Sequence, residues 1–419
     1  MAGVKGVLIL ATLDTKGPEA LYLSDKIKAL GEEPILMDMS MRDEKRGVRA
    51  EISAEEVAKA GGSRLGQLSD SDDLDINMEV MVAGAIKITH RLIQEGRVNG
   101  VIGIGGYRGS FMATAIMHSL PFGLPKVMVS SAAALPGLST RFLKTSDIMI
   151  FHSVIEIAGL TNLLKNVLDR AAYALSGMLQ GQVATPIIDK NKGIAMTMLG
   201  PCEICARTVR TALENQGYQV MGFHATGIGD RAMEEMITEG FLGGVIDLAP
   251  GGVGEHLYGF TRDAGPNRLE SAGRVGIPQI ISTCGVNHIT PSKSKYTAEH
   301  KGRRRYDLDK SRTWLRMTPN ELKEVSEVFA EKLNKSLGPV KVVIPLKGWS
   351  SIDSPGRPTY DPEEDAIFIK ELRRKLKKEI EVIQVDANME DLEFAKVVIS
   401  AALDVLKEPR LHQVKCCRK

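Results

Sequence analysis

The chain has 419 residues, 43% of them apolar and 25% charged, with a formal net charge of +2. At roughly 150 residues per domain that length predicts two or three lobes, and so small a net charge excludes a global field drawing the chain onto nucleic acid or an anionic bilayer. With 41 glycines but no low-complexity tract, it reads as a soluble globular protein and not a disordered one.

The first apolar stretch, Val7 to Leu13, is cut off by Asp14 and Lys16 and is too short for a signal sequence. Nowhere does the chain approach the roughly 20 uninterrupted apolar residues of a membrane span, so a cytoplasmic location is expected. Cys202, Cys205, Cys284, Cys416 and Cys417 are too few and too clustered for a disulfide framework. Reduced thiols are expected.

Short β-branched runs then alternate with longer helical patterns, the signature of parallel sheets covered on both faces by helices. In the first half the predicted strands are 6–13, 34–39, 98–104, 126–130 and 148–152, with helices over 18–30, 76–94 and 153–179. Pro18 opens the first of these helices and Gly31 closes it. The stretch GQVATPIIDKNKG loses helical periodicity, placing a boundary near residues 181–192. The second half predicts strands at 194–199, 219–224, 244–248, 279–282, 340–346 and 380–385, and helices at 203–215, 230–239, 319–337, 362–378 and 389–406. Two Rossmann-like, doubly wound α/β subdomains with mainly parallel sheets follow, residues 1–185 and 186–419. Such sheets bind ligands where strands end and helices begin.

Three strand-to-helix turns carry the chemistry. In VIGIGGYRGSFM, Gly103, Gly105, Gly106 and Gly109 precede a helix beginning near Ser110, a pattern that brings bare N–H groups and a helix dipole to an anion. Arg108 is placed either on a phosphate or in solvent, and Ser110 either donates to the same group or caps the helix. No Gly-Lys-Ser or Gly-Lys-Thr follows, so this is not a Walker loop, and the dinucleotide spacing is missed by one residue. ATLDTKGPEA packs Thr12, Asp14, Thr15 and Lys16 at another strand end, as phosphate and Mg²⁺ contacts or as helix caps. Ser130 and Ser131 end a third strand and line the same crevice or a plain loop.

In the second half, Gly227, Gly229 and Ala232 hold the dinucleotide-fingerprint spacing, with Arg231 among them and Asp247 twenty residues after Gly227. His224 before them is either an acid, base or phosphate donor, or a hydrogen-bonded structural residue. APGGVGEHL next offers Gly251, Gly252, Gly254, Glu255 and His256 to the same cleft. Cys202, Cys205, Cys284 and His288 would form a zinc set if their turns converge, with small buried cysteines as the alternative. KGRRRYDLDKSR reads as a solvated or interface loop, Asp353 as a cleft carboxylate and Asp361 as a helix cap.

TLDTKGPE (12–19), GIGG (103–106), PKVMVS (125–130), IAGL (157–160), FHATGIGDRAME (223–234), AGPNRLESAGR (264–274), GIPQ (276–279) and PLKGWSSIDSPGRPTYDPEED (345–365) occur together here. In this order the chain resembles the family of the tomato mosaic virus resistance protein's ATP-binding domain. The resemblance implies two Rossmann-like subdomains, ATP binding by the amino-terminal region, and a homodimer or higher homo-oligomer. The chain departs from the family where Gly-Gly-Ser-Gly-Gly-Thr becomes Gly105, Gly106, Tyr107, Arg108, Gly109 and Ser110, and where SAAALPG follows Ser130. The expected function is therefore ATP binding with Mg²⁺. The alternative is a hydrolase or lyase of a small anionic substrate in the inter-lobe cleft, using His224 and possible zinc. No membrane or nucleic-acid partner is expected.

Overall fold

Alternate residues of each central strand belong to different cores, which is why these strands read as unbroken apolar runs. The computed structural model describes residues 4–42, 47–181, 192–310 and 312–407. Most of the 181–192 stretch, together with Cys416 and Cys417, lies outside the described residues. The chain divides into two compact units, residues 1–186 and 187–419.

The first unit contains β1 (Gly6–Ala11), β2 (Glu33–Asp38), β3 (Gly100–Gly105), β4 (Lys126–Ser130) and β5 (Met149–His152). They form one sheet of order β2-β1-β3-β4-β5 in which every pairing is parallel. Leu8 and Leu10 of β1 face one core, with the helices Ala54–Gly61 and Leu74–Gln94. Val7 and Ile9 face the other, with the helices Leu13–Ala29 and Asn162–Gln180. The strand order reverses between β1 and β3, and at such a switch point the crossover helices leave to opposite faces and open a crevice.

Two helices differ from the sequence expectation, both beside that crevice. The first starts at Leu13, five residues before Pro18, and is kinked at Lys16 (φ −125°, ψ 21°). Pro18 is an interior residue, and its ring would meet the carbonyl of Asp14 in an unbent helix. Asp38 accepts from Leu13 N and Ser40 Oγ accepts from Asp14 N, so the start is capped from β2 and its exit. The helix expected over 153–179 begins instead at Asn162, capped by Thr161. The preceding turn, with Val154 at φ 65°, stays irregular and carries the IAGL segment to the first helix. There Lys16 Nζ donates to Ile157 O at 2.5 Å, and Gly159 N donates to buried Glu19 at 2.6 Å.

The second unit contains β6 (Gly193–Met198), β7 (Gln219–His224), β8 (Gly244–Asp247), β9 (Gln279–Ile281), β10 (His288–Ile289), β11 (Arg305–Asp307), β12 (Thr313–Arg316), β13 (Val340–Pro345) and β14 (Glu381–Val385). Its main sheet runs β14-β13-β9-β8-β6-β7, with every pairing parallel. Ile194 and Met196 face one core, and Ala195 faces another. An unexpected antiparallel sheet, β10-β12-β11, is inserted after β9. It absorbs the basic segment expected to be a solvated or interface loop. Arg303 pairs with Glu321 at 2.8 Å and Arg304 with Glu364 at 2.6 Å, while Arg305 to Asp307 form β11. Among the described residues no helix is long and apolar enough to cross a membrane.

Candidate functional site

The glycine-rich turn after β3 is shaped by packing on one side and open on the other. A side chain at Gly103 would meet Ala113 and Met128 at 2.8 Å, and one at Gly105 would meet Gly109 Cα at 2.8 Å, so the helix can lie close on its strand only with these glycines. Gly106 is different. A β-carbon there meets nothing nearer than Ser131 Oγ at 3.6 Å. Gly106 is the N-cap of the helix Tyr107–His118, and no side chain caps it. The amides of Tyr107, Arg108 and Gly109 have no acceptor among the described residues. Ser110 is turned inward, donating to Ser130 Oγ at 2.6 Å, and both serines are fully buried. Ser130 in turn accepts from Ala132 N, so these two hydroxyls fix the loop and are spent doing so.

A cavity of about 370 Å³ opens on this unit, lined by Asp14, Thr15, Arg42, Asp72 and Arg108 among others. Arg42 and Arg108 have no ion pair among the described residues. Asp14 keeps its Oδ1 without a hydrogen-bond partner. Thr12 and Thr15 bond each other through their hydroxyls at 2.8 Å. Lys16 is not on this wall: besides Ile157 O it lies 3.6 Å from Glu156, so its charge serves the IAGL segment. The turn thus brings together Asp14, Thr15 and Arg108 of the expected residues, and adds Arg42 and Asp72. Arg42 and Asp72 were missed in the sequence; Arg42 follows the exit of β2, the neighbour of β1, and its place after a strand end is the signal that could have found it.

In the second unit the fingerprint glycines meet protein, not open space. A β-carbon at Gly229 would lie 2.2 Å from His224 O, and Gly227, at φ 93°, sits against Asp263 O. The amide of Gly227 is taken by Asp230 Oδ2 at 2.7 Å. Asp230 and Asp247 then converge on Arg268 at 2.9 and 2.5 Å, all three side chains wholly buried. Burial pushes the Asp230 carboxyl up, against the pull of Arg268 and the Gly227 amide. Glu234 caps Leu269 N and Ser271 N. FHATGIGDRAME and AGPNRLESAGR are therefore two halves of one buried ionic lock. Arg231 is held outside it by Asp263 at 3.2 Å. The glycines of APGGVG are also packed: a β-carbon at Gly251 would lie 2.4 Å from Gly285 O, and one at Gly252 2.5 Å from Ala264 Cβ.

Cys202, Cys205 and Cys284 are buried in one apolar core. The Cys202 contact and burial push the Cys284 thiol well up, and burial does the same to Cys205. His288 is turned to the polar cluster of Asn287, Arg316, Asp353 and Asp365. Asn287 gives its amide hydrogens to the two carboxylates, so its carbonyl accepts from His288 Nδ1 at 2.6 Å and the ring holds the Nδ1–H tautomer. Burial and the nearby arginines hold its pKa well below the ordinary value. Among the described residues no group of three or more His, Cys, Asp or Glu could hold a metal ion. Asp353 is likewise wholly buried, accepting from Asn287 and Trp349 N, and Asp361 is the expected cap, accepting from Glu364 N at 3.0 Å.

His224 stands apart from this lock. It lines a larger cavity of about 760 Å³ over the ends of β6 and β7, beside the antiparallel sheet.

Two doubly wound units with central strands in a 2-1-3 order define a Rossmann-like α/β protein of the flavodoxin type. The family is more specific. Residues 5–184 match the N-terminal domain, and residues 191–406 the C-terminal domain, of the Uncharacterised protein family (UPF0261), and the chain belongs to that family. A UPF0261 protein of Clostridium tetani is 35% identical over 96% of this chain and 100% of its own length. One from Mesorhizobium japonicum is 32% identical over 96% of this chain. The tomato resemblance holds as well: the ToMV resistance protein Tm-1(GCR237) of Solanum lycopersicum is 31% identical over 77% of this chain, a match that spans 43% of the tomato protein.

Proposed function

We propose that this chain is a cytoplasmic nucleotide-binding protein that holds the phosphates of ATP, with Mg²⁺, at the β1/β3 switch point of its first unit. The observation that carries this reading is the uncapped start of the helix Tyr107–His118, where three unaccepted amides stand beside the unpaired guanidinium of Arg108. A helix start left without a cap favours an anion, because its N–H groups and dipole lack a counterpart.

The lining charges suit a metal-bound polyphosphate. Arg42 and Arg108 would face phosphate oxygens, while Asp14 and Asp72 would sit near a divalent cation. Mg²⁺ commonly takes one or two carboxylates and completes its shell with water and substrate phosphate. The free Asp14 Oδ1 fits that use. Lys16, Ser110 and Ser130 are assigned to holding the turns. The homodimer implied by the resemblance belongs to the same reading, and sedimentation velocity of the full chain tests it.

Isothermal calorimetry of the full chain with ATP, with and without Mg²⁺, tests the ligand. Saturable heat that weakens when Mg²⁺ is withheld is expected. Absence of heat in both titrations overturns the reading.

A further inference from the structure

The larger cavity of the second unit has no part in that reading, and its chemistry is one-sided. Among the described residues its lining contains Arg262, Lys293, Arg312 and His224, and no carboxylate. Aromatic surface is supplied by Trp314 and Tyr306. Arg262 is the fixed element. It is only 7% exposed, its guanidinium stacks over the Trp314 ring at 4.2 Å, and Glu255 holds its Nη2 at 2.8 Å. Nε also bonds Glu255 and Thr290. Its Nη1 donates to no described residue, which leaves one pre-oriented donor on a cavity wall. A planar guanidinium held in this way is suited to a carboxylate or phosphate group. Lys293 and Arg312 flank the mouth on exposed chain, where Arg312 is partly answered by Asp309 at 2.6 Å.

We propose that this cavity is a second small-molecule site, selective for an organic acid or phosphate ester that carries an apolar or aromatic body. The anionic group meets Arg262 Nη1 with Lys293 and Arg312, and the body lies against Trp314 and Tyr306. The volume is in the range of metabolite sites. The position also follows the rule for open α/β sheets, since Leu199 to Pro201 leave β6 and His224 ends β7 at the carboxyl edge. The inserted antiparallel sheet adds the wall that a bare doubly wound unit lacks, through Tyr306 of β11 and Thr313 and Trp314 of β12.

The chain has two tryptophans, and the other, Trp349, is buried in a separate apolar core against Phe368. A Trp349→Phe chain therefore reports on Trp314 alone. Titration with phenyl phosphate and with benzoate is expected to quench its emission saturably with at least one of them, and phenol to give no such quench. Which anion binds more tightly assigns the acid or the ester. The double variant Lys293→Ala/Arg312→Ala, both on exposed chain, is expected to raise the dissociation constant at least tenfold. Line broadening of the same two probes by the native chain repeats the test without the tryptophan change. No saturable binding of either anion by both methods overturns the proposal, as does native affinity in the double variant or equal binding of phenol. Failure of ATP to bind leaves these results unaffected, because no residue of the first unit enters them.

Discussion

Arg268 Nε donates to Asp230 Oδ1 at 2.9 Å with neither side chain exposed to solvent, although the two residues are 38 positions apart. Removing one member of a buried ion pair leaves an uncompensated charge, which costs about 3–5 kcal/mol. Arg268→Ala strands Asp230 and Asp247 together, so its unfolding free energy is expected to fall by that order, read as a lower urea midpoint. Asp230→Asn keeps an acceptor for Gly227 N and is expected to lose less. Equal midpoints for native chain and Arg268→Ala contradict the lock.

Gly106 and Gly229 separate the two uses of glycine. At Gly229 a β-carbon lies 2.2 Å from a backbone oxygen, while at Gly106 it comes no nearer than 3.6 Å to the side chain of Ser131. Gly229→Ala is expected to destabilise by roughly 1–3 kcal/mol through overpacking. Gly106→Ala is expected to cost under about 1 kcal/mol, that of a poorer N-cap residue. Thermal melts of the two variants read the difference.

Arg108 carries the ATP reading most directly. A charge-assisted hydrogen bond contributes about 1.5–3 kcal/mol, so Arg108→Ala is expected to weaken Mg-ATP roughly 10- to 100-fold by calorimetry. Gly106→Val, which adds a branched side chain at the N-cap of that helix, is expected to weaken it further and to lower the melting temperature slightly, as a poor N-cap does. Unaltered affinity in both variants removes the site.

Asp365 gives a pH dependence of defined sign. Burial and the neighbouring charge of Asp353 push its carboxyl up to about 8, far above the unfolded value near 3.9. The folded chain thus binds a proton that the unfolded chain releases, and the contribution is complete below about pH 4 and lost as pH rises through 8. Denaturant midpoints are expected to fall between pH 6 and 9 in the native chain and to fall less in Asp365→Asn. An identical slope in both contradicts the assignment.

Much of the fold was legible because its signals are local. The first strand, expected over 6–13, is found at Gly6–Ala11, since a run apolar on both faces has to be covered on both, while Leu13 opens the following helix instead of ending the strand. Asp361 before Pro362 read as a cap, and Glu364 N confirms it. The inserted sheet was not legible: Arg305 to Asp307, with charges on either side of Tyr306, is a short segment that becomes a strand only by pairing with Thr313 to Leu315. Strand propensity depends on such partners more than helix propensity does. Pro18 misled for a related reason, because Asp38 and Ser40 cap the helix five residues ahead of it from another strand.

By itself the sequence determined two α/β units, most of their strands, and the turns at which chemistry had to be sought, because apolar periodicity and glycine punctuation act over a few residues. Only the tertiary structure decided which turns are open. Gly227, Ser110, Ser130 and Lys16 look like ligand groups in one dimension, yet each is met by a partner distant in the chain, and Gly229 is packed against the backbone of His224. The turn at Gly106 and the cavity at Arg262 are left with donors that no described residue answers. Whether a polar group is free depends on what folds against it, and that information is not local.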